Sequence, residues 1–206
     1  MTEKLDIENW NRKEHFFFFK DFEEPFFGVT FNVDITGAYR YCKQESISLF
    51  IYYLYASLKT ANNIPEFKYR IKDNEVLVYD RVSASSTIDR EDGTFGFSYI
   101  NYEEDFVSFR KNAQSEIDRV RSTRELIPSE SGDSVIHFSA IPWVQFTSLS
   151  HARSFRFKDS VPKISFGRIF EKENKKWMPV SVHVHHALMD GYHVGRFVRQ
   201  FQQELN

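Results

Sequence analysis

The strongest constraint on the fold lies in the last fifth of the chain, where a strand pattern gives way to a helix pattern. Valines recur at every second position along Trp177–His185, which is the period of a β-strand. Asp190 and Gly191 then mark a turn, and the apolar residues of Gly191–Leu205 recur at helical spacing. A chain that ends in this way needs a β-sheet with at least one helix packed against it.

Alternating strand and helix patterns also occupy the earlier part of the chain. Helices are predicted over Trp10–Phe22, Thr36–Lys43 (with Asp34 or Thr36 as cap), Ser46–Asn63 and Asp105–Arg121. Strands are predicted over Phe26–Ile35, Phe67–Ile71, Glu75–Tyr79, Ala84–Ile88, Thr94–Ile100, Val135–Ala140, Val144–Leu149 and Ile164–Phe170. The mixture predicts an α+β fold, a two-layer mixed β-sheet with helices packed on it. Because no repeat or linker divides the sequence, we expect a single domain over residues 1–206.

Composition narrows the class of protein. The 27 basic and 29 acidic residues give a net charge of −2, so nothing favours binding to nucleic acid. Aromatic residues make up 17% of the chain and include 22 phenylalanines, which suits a Phe-rich core or a pocket lined with rings.

The sequence also favours a cytoplasmic protein without a membrane anchor. Cys42 is the single cysteine, so no intrachain disulfide is possible. The N-terminal residues MTEKLDIENW lack the basic start and apolar stretch of a signal peptide. The apolar run Ser46–Leu58 is too short and too polar to span a bilayer.

His186 is the main candidate for a catalytic residue. Strand alternation places it on the face of Val180, Val182 and Val184, at the end of an apolar stripe. A buried imidazole stays neutral near neutral pH and can take a proton from a hydroxyl or a thiol. The ordinary alternative is a histidine that only packs in the core.

Two other readings of the histidine cluster are weaker. His183 and His185 share the opposite strand face and could bind zinc, but no third ligand stands at a suitable spacing. A Ser/His/Asp triad is conceivable, yet the chain has no G-x-S-x-G motif.

Three segments carry a resemblance to a known family. They are WNRKEHF at 10–16, SAIPWVQFTSL at 139–149 and HHALMDGYHVGRF at 185–197. In this order and spacing they resemble the chloramphenicol acetyltransferase family, and the resemblance extends from about Ile7 to Leu205. It implies a CoA-dependent acyltransferase fold and acetyl transfer from acetyl-CoA to the primary hydroxyl of chloramphenicol, without a metal. It also implies a homotrimer whose active sites lie between neighbouring subunits.

The resemblance assigns roles to individual residues. His186 matches the general base, and Ser148 matches the hydroxyl that donates a hydrogen bond to the tetrahedral oxyanion. Asp190 and Arg12 match a structural ion pair. Ser165 stands where the family has a threonine that organises a water molecule. The positions that match the acceptor pocket are Phe18, Phe19, Thr87 and Phe95.

Four positions depart from the family pattern. Met189 replaces a cysteine, Gln145 replaces a smaller polar residue, and Ser165 replaces the threonine. Glu24 falls near a pocket position that is normally apolar, and a buried carboxylate facing a neutral aryl acceptor would be unfavourable. Two alternatives therefore remain beside a chloramphenicol acetyltransferase. One is an acyltransferase of the same mechanism with another hydroxylated acceptor, and the other is a non-catalytic relative that binds CoA or a small molecule.

Overall fold

The longest strand in the described part of the chain has 11 residues and lies near the C-terminus. The computed structural model describes residues 2–126 and 132–206. The strands are β1 Thr2–Lys4, β2 Phe26–Asp34, β3 Tyr69–Lys72, β4 Glu75–Tyr79, β5 Ser83–Asp89, β6 Phe95–Phe97, β7 Val135–Ile141, β8 Lys163–Gly167, β9 Phe170–Lys172 and β10 Lys175–His185. The helices are α1 Lys13–Phe19, α2 Thr36–Gln44, α3 Leu49–Asn62, α4 Phe106–Ser122 and α5 Gly191–Glu204, with a 3₁₀ helix at Pro65–Lys68.

The strands form a large mixed sheet and a small antiparallel one. The large sheet has the order β2-β10-β8-β7-β5-β6, and β9 pairs with one end of β10. The pairs β5–β7 and β7–β8 are parallel, whereas β10 runs antiparallel to both β2 and β8. The small sheet has the order β1-β4-β3. Mixed strands with helices confirm the predicted α+β class.

One face of the large sheet packs against helices. Val180 of β10 lies opposite Phe166 of β8, so both side chains point to the same face. Phe166 contacts Tyr53 of α3, with ring centroids 4.5 Å apart, and lies 6.3 Å from Phe201 of α5. This helix face carries the hydrophobic core.

The opposite face of the sheet carries a row of hydroxyl groups. The strand register places Thr30, Ser181, Ser165 and Ser139 side by side on β2, β10, β8 and β7. Ser181 and Ser165 are nevertheless completely buried. Residues 142–162, which we call the β7–β8 loop, pass over this polar face. Both faces of β10 are therefore covered, one by helices and the other by a loop.

Two hairpins of the structure have two-residue turns. Lys72 pairs with Glu75, and the turn residues Asp73 and Asn74 have φ values of 51° and 62°. Both values are positive, as a two-residue type I′ turn requires. The charged turn before β10 has the same form, since Glu173 and Asn174 have φ values of 53° and 59°.

Several predicted elements differ from the structure, and two of the differences are instructive. The strand predicted over Val144–Leu149 is wrong, because these residues belong to the β7–β8 loop. β7 already has β5 and β8 as neighbours, so no free sheet edge lies beside them. The first helix is shorter than predicted, since α1 spans Lys13–Phe19 rather than Trp10–Phe22. Within the described ranges, no helix combines the length and apolar character needed to cross a membrane.

Arg70 joins the two sheets from a fully buried position. Its guanidinium donates to the carbonyl oxygens of Asp133 at 2.7 Å, Phe67 at 3.0 Å and Tyr69 at 2.6 Å. It also donates to the carbonyl oxygen of Val135, where β7 begins. One side chain thus satisfies four carbonyl groups and ties β3 to β7.

Replacing Arg70 should destabilise the fold strongly. We expect Arg70→Leu to lower the free energy of unfolding by about 3 kcal/mol or more, because each buried carbonyl left unsatisfied costs about 1–3 kcal/mol. Urea denaturation would measure the loss, with Arg81→Leu as the control at an exposed arginine. A loss below about 1 kcal/mol would show that the carbonyls find other donors.

Candidate functional site

His186 follows the last residue of β10 directly and contacts two aromatic rings. Phe19 of α1 stacks on the imidazole with ring centroids 4.0 Å apart and an angle of 12°, and Phe27 of β2 lies 4.7 Å away. Nδ1 of His186 is 3.2 Å from the carbonyl oxygen of Met189. Because a carbonyl oxygen only accepts, Nδ1 carries the proton and Nε2 keeps its lone pair. The ring is half-buried, whereas the sequence predicts a buried one.

The backbone of His186 is fixed by two hydrogen bonds. Its N–H donates to the carbonyl oxygen of Pro25 at 2.8 Å. Its carbonyl oxygen accepts from Nη2 of Arg12 at 3.0 Å. Arg12 is buried and forms an ion pair with Asp190 through Nη1. Arg12 therefore binds both the carboxylate of Asp190 and the backbone carbonyl of His186.

Asp190 also begins helix α5. Its carboxylate accepts from the N–H of Tyr192 at 2.9 Å, which caps the first turn. Nδ1 of His193 lies 2.9 Å from the same carboxylate, and Nε2 of His193 lies 3.4 Å from Glu66. Burial raises the pKa of Asp190, but Arg12 and the Tyr192 N–H outweigh burial and hold the pKa below its ordinary value.

The aromatic residues of α1 form a cluster beside His186. The rings of Phe18 and Phe22 lie 4.9 Å and 5.1 Å from the ring of Phe19. Phe18 is 65% exposed, so an apolar surface remains uncovered near His186. Phe18 and Phe19 are thus close to His186, although their role as pocket residues stays a prediction.

Ser148 lies in the β7–β8 loop on the polar face of the sheet. The neighbouring carbonyl oxygen of Leu149 is 3.2 Å from Nε2 of His183. Phe146 packs against Gly167 of β8, where an added Cβ would come within 2.9 Å of the phenyl ring. Beneath the loop, Ser165 is fully buried, and its hydroxyl has no hydrogen-bond partner in the described part of the chain.

Thr87 and Phe95 contribute to a separate cavity of about 720 Å³. Its lining also includes Ser139 and Trp143. Within residues 2–126 and 132–206, neither His186 nor Ser148 lines this cavity. The four residues predicted to bind the acceptor therefore lie in two places within one chain. Thr87 and Phe95 line this cavity, whereas Phe18 and Phe19 lie near His186.

Glu24 has a charged partner within the same chain. Its carboxylate pairs with Arg153 of the β7–β8 loop and accepts the N–H of Phe26 at 3.0 Å. Arg153 also lies over the Phe26 ring, 4.1 Å from the centroid. The guanidinium of Arg153 therefore balances the negative charge of Glu24, which is not an isolated charge facing an apolar pocket.

The sheet separates His186 from Ser148 within one chain. Phe27, which contacts His186, pairs with Val184 and shares its face, the helix face. His183, which holds the residue after Ser148, points to the polar face. One chain therefore presents His186 on one side of the sheet and Ser148 on the other.

Phe27 is missing from the residues predicted from the sequence, and the sequence identifies His183 only as a possible zinc ligand. Both contacts depend on the pairing of β2 with β10 and on the path of the β7–β8 loop, which no local pattern reveals. His185 is buried, burial lowers its pKa to about 4, and its Nδ1 accepts the N–H of Ala187 at 3.2 Å. Among the described residues, no group of three or more His, Cys, Asp or Glu side chains could hold a metal ion.

A family model, two curated relatives and a solved structure to which the chain is similar all carry the same family description. The model of a family described as chloramphenicol acetyltransferase matches residues 1–202. A chloramphenicol acetyltransferase of Proteus mirabilis is 30% identical over 200 residues, covering 97% of this chain and 92% of the relative. Chloramphenicol acetyltransferase 3 of Escherichia coli is 31% identical over 206 residues, covering 98% and 96%. A solved chloramphenicol acetyltransferase structure superposes with a TM-score of 0.89 at 33% identity, covering all of both chains.

The ion pair of Asp190 should make stability depend on pH. A carboxyl with a lowered pKa stabilises the fold above about pH 4 and loses that contribution as the pH falls through its folded pKa. We therefore expect Asp190→Asn to lower the melting temperature at pH 7 and to have a smaller effect near pH 3. Thermal denaturation across this range tests the expectation. An effect of equal size at both pH values would contradict it.

Proposed function

Because the chain belongs to the chloramphenicol acetyltransferase family, we propose that it transfers the acetyl group of acetyl-CoA to the primary hydroxyl of chloramphenicol. Such a reaction inactivates the antibiotic and confers resistance. The observation that carries the proposal is the state of His186, whose Nδ1 is occupied by the Met189 carbonyl and whose Nε2 is free to act as a base.

In the proposed reaction, Nε2 of His186 takes the proton from the acceptor hydroxyl. The hydroxyl oxygen attacks the carbonyl carbon of the thioester directly in a ternary complex, which gives a tetrahedral oxyanion. The Ser148 hydroxyl donates a hydrogen bond to that oxyanion. When the intermediate collapses, the carbon–sulfur bond breaks, and the CoA sulfur leaves and receives the proton from the imidazolium.

The surrounding residues hold the base and the acceptor. The Met189 carbonyl keeps the proton on Nδ1 and stabilises the imidazolium as its charge forms. Arg12 and Asp190 act as a structural pair, since their contacts reach the backbone of His186 and not its ring. In this proposal Ser165 orders a water molecule, and the acceptor is covered by Phe18, Phe19, Thr87 and Phe95.

A complete site in this proposal needs two chains. His186 of one chain would meet Ser148, Thr87 and Phe95 of a neighbour, with each chain folding as one domain in a homotrimer. The separation of His186 from Ser148 by the sheet supports this arrangement. Exposed rings on the β7–β8 loop support it too, since Trp143, Phe155 and Phe157 are each at least 70% exposed. A cytoplasmic location would supply acetyl-CoA.

The contacts of Glu24 favour a neutral acceptor. A free carboxylate in the pocket would have pointed to a positively charged alcohol, but Arg153 already neutralises Glu24. Glu24 therefore no longer supports the alternative of an acyltransferase with another hydroxylated acceptor. Chloramphenicol, a neutral aryl alcohol, is the substrate we propose.

Substitution of the base tests the function directly. We expect His186→Ala to lower chloramphenicol-dependent thiol release from acetyl-CoA by about 10²–10⁴-fold, because the acceptor hydroxyl loses its general base. The exposed His15→Ala provides the matched control and should retain activity. Near-normal turnover of His186→Ala in a folded protein would rule out the base, and no thiol release by the wild-type protein would rule out the function.

Mixing two impaired variants tests whether a site spans two chains. His186→Ala and Ser148→Ala, unfolded and refolded together, should be far more active than either variant alone. In random trimers about a quarter of the sites would combine an intact His186 with an intact Ser148 from different chains. Light scattering should give three times the chain mass of 24.5 kDa. A mixture no more active than its components would place both residues in one chain's site.

A further inference from the structure

We propose that His183 is a positioning residue that holds the Ser148 hydroxyl at the place where the oxyanion forms. The inference rests on the proposed function, because it deepens the role given to Ser148. His183 touches neither substrate nor reacting atoms in this proposal. It acts on the backbone next to Ser148 from the polar face of β10.

The contact reaches the residue that follows Ser148. Nε2 of His183 lies 3.2 Å from the carbonyl oxygen of Leu149. A carbonyl oxygen only accepts, so Nε2 carries the proton and donates it to the loop. The carbonyl carbon of Leu149 is bonded directly to its Cα, and Ser148 is the residue immediately before it in the chain. The orientation of the serine therefore depends on this hydrogen bond.

The other ring nitrogen completes a chain of hydrogen bonds across two strands. Nδ1 of His183 is 3.4 Å from the hydroxyl oxygen of Ser181, and that oxygen is 3.3 Å from the hydroxyl of Thr30 on β2. With Nε2 protonated, Nδ1 accepts from Ser181, and Ser181 in turn accepts from Thr30. The two hydroxyls of the polar face thus fix the tautomer that the Leu149 contact requires.

The position of the ring is fixed by close packing. His183 lies directly over Gly28 of β2, where an added Cβ would come within 2.3 Å of Nε2. The ring of His151 meets it edge-on, with centroids 4.8 Å apart. Burial lowers the pKa of His183, which keeps the imidazole neutral and the tautomer single. Only glycine at position 28 leaves space for this arrangement.

The segment that bears Ser148 is attached at both ends. At its start, the carbonyl oxygen of Val144 accepts the N–H of Arg168 at 2.8 Å, and Phe146 packs on Gly167. At its end, the contact of Leu149 with His183 is the one nearest to Ser148. Loss of that contact should free the serine while the rest of the segment stays attached to β8.

Two amide substitutions separate the contact from simple packing. In His183→Gln the side-chain amide reaches the place of Nε2 and can still donate to Leu149, whereas in His183→Asn it reaches only the place of Nδ1. We expect His183→Asn to lower kcat by on the order of tenfold to a hundredfold, since a misplaced oxyanion donor loses most of its effect. His183→Gln should retain most of the activity, and KM should change little in either variant.

A double-mutant cycle with Ser148→Ala decides whether His183 acts through the serine. If it does, the double variant with His183→Asn should be no slower than Ser148→Ala alone. Two rate losses that multiply, or an unaltered kcat in His183→Asn, would overturn the inference. Should His183→Asn fold poorly, Ser181→Ala tests the same chain of hydrogen bonds with a smaller change and should also lower kcat.

The same assay separates this inference from the proposed function. Absence of chloramphenicol-dependent thiol release in the wild-type protein would overturn both. An active wild-type enzyme whose Ser148→Ala variant is slow, but whose His183 variants are normal, would overturn the role of His183 alone. Melting temperatures of all variants show whether a loss of rate reflects a loss of folded protein.

Discussion

The register of β10 between β2 and β8 determines which face of the large sheet carries His183 and which face leads into His186. Because neighbouring residues of a strand face opposite ways, the single strand sends His183 to one side and leads into His186 on the other. A shift of one residue would exchange the two faces and place valines under the β7–β8 loop. The helices on one face and the loop on the other both depend on this alignment.

Much of the fold could be predicted from local sequence patterns. The strand Phe26–Asp34, the hairpin around Asp73 and Asn74, and the buried helix α3 follow from alternation, turn chemistry and apolar residues around a helix axis. Val144–Leu149 has the composition of a strand, yet β7, the strand just before it, already has β5 and β8 as neighbours. Local sequence gives strand propensity, whereas pairing depends on which neighbours the topology leaves open.

The residues of the candidate site, like the fold, could be predicted from the sequence only in part. Alternation alone identified His186, and the family resemblance added Ser148, Arg12, Asp190 and the proposed pocket. The contacts of Phe27 and the Met189 carbonyl with the imidazole could not be predicted, because they arise from strand register and from the turn after β10. Glu24 is the opposite case. It stood out in the sequence because its partner Arg153 lies 129 residues away along the chain.

The pairing of β2 with β10 has a consequence for synthesis of the chain. β2 forms the edge of the large sheet, and β10 is its strand partner. At about 5–20 residues per second, roughly seven to thirty seconds pass on the ribosome between the completion of β2 and the appearance of β10. During that interval the strand carries Phe26, Phe27 and Phe31 without its permanent cover. A nascent chain of this design spends most of its elongation with an aromatic, unpaired strand, which is the kind of segment that chaperones bind.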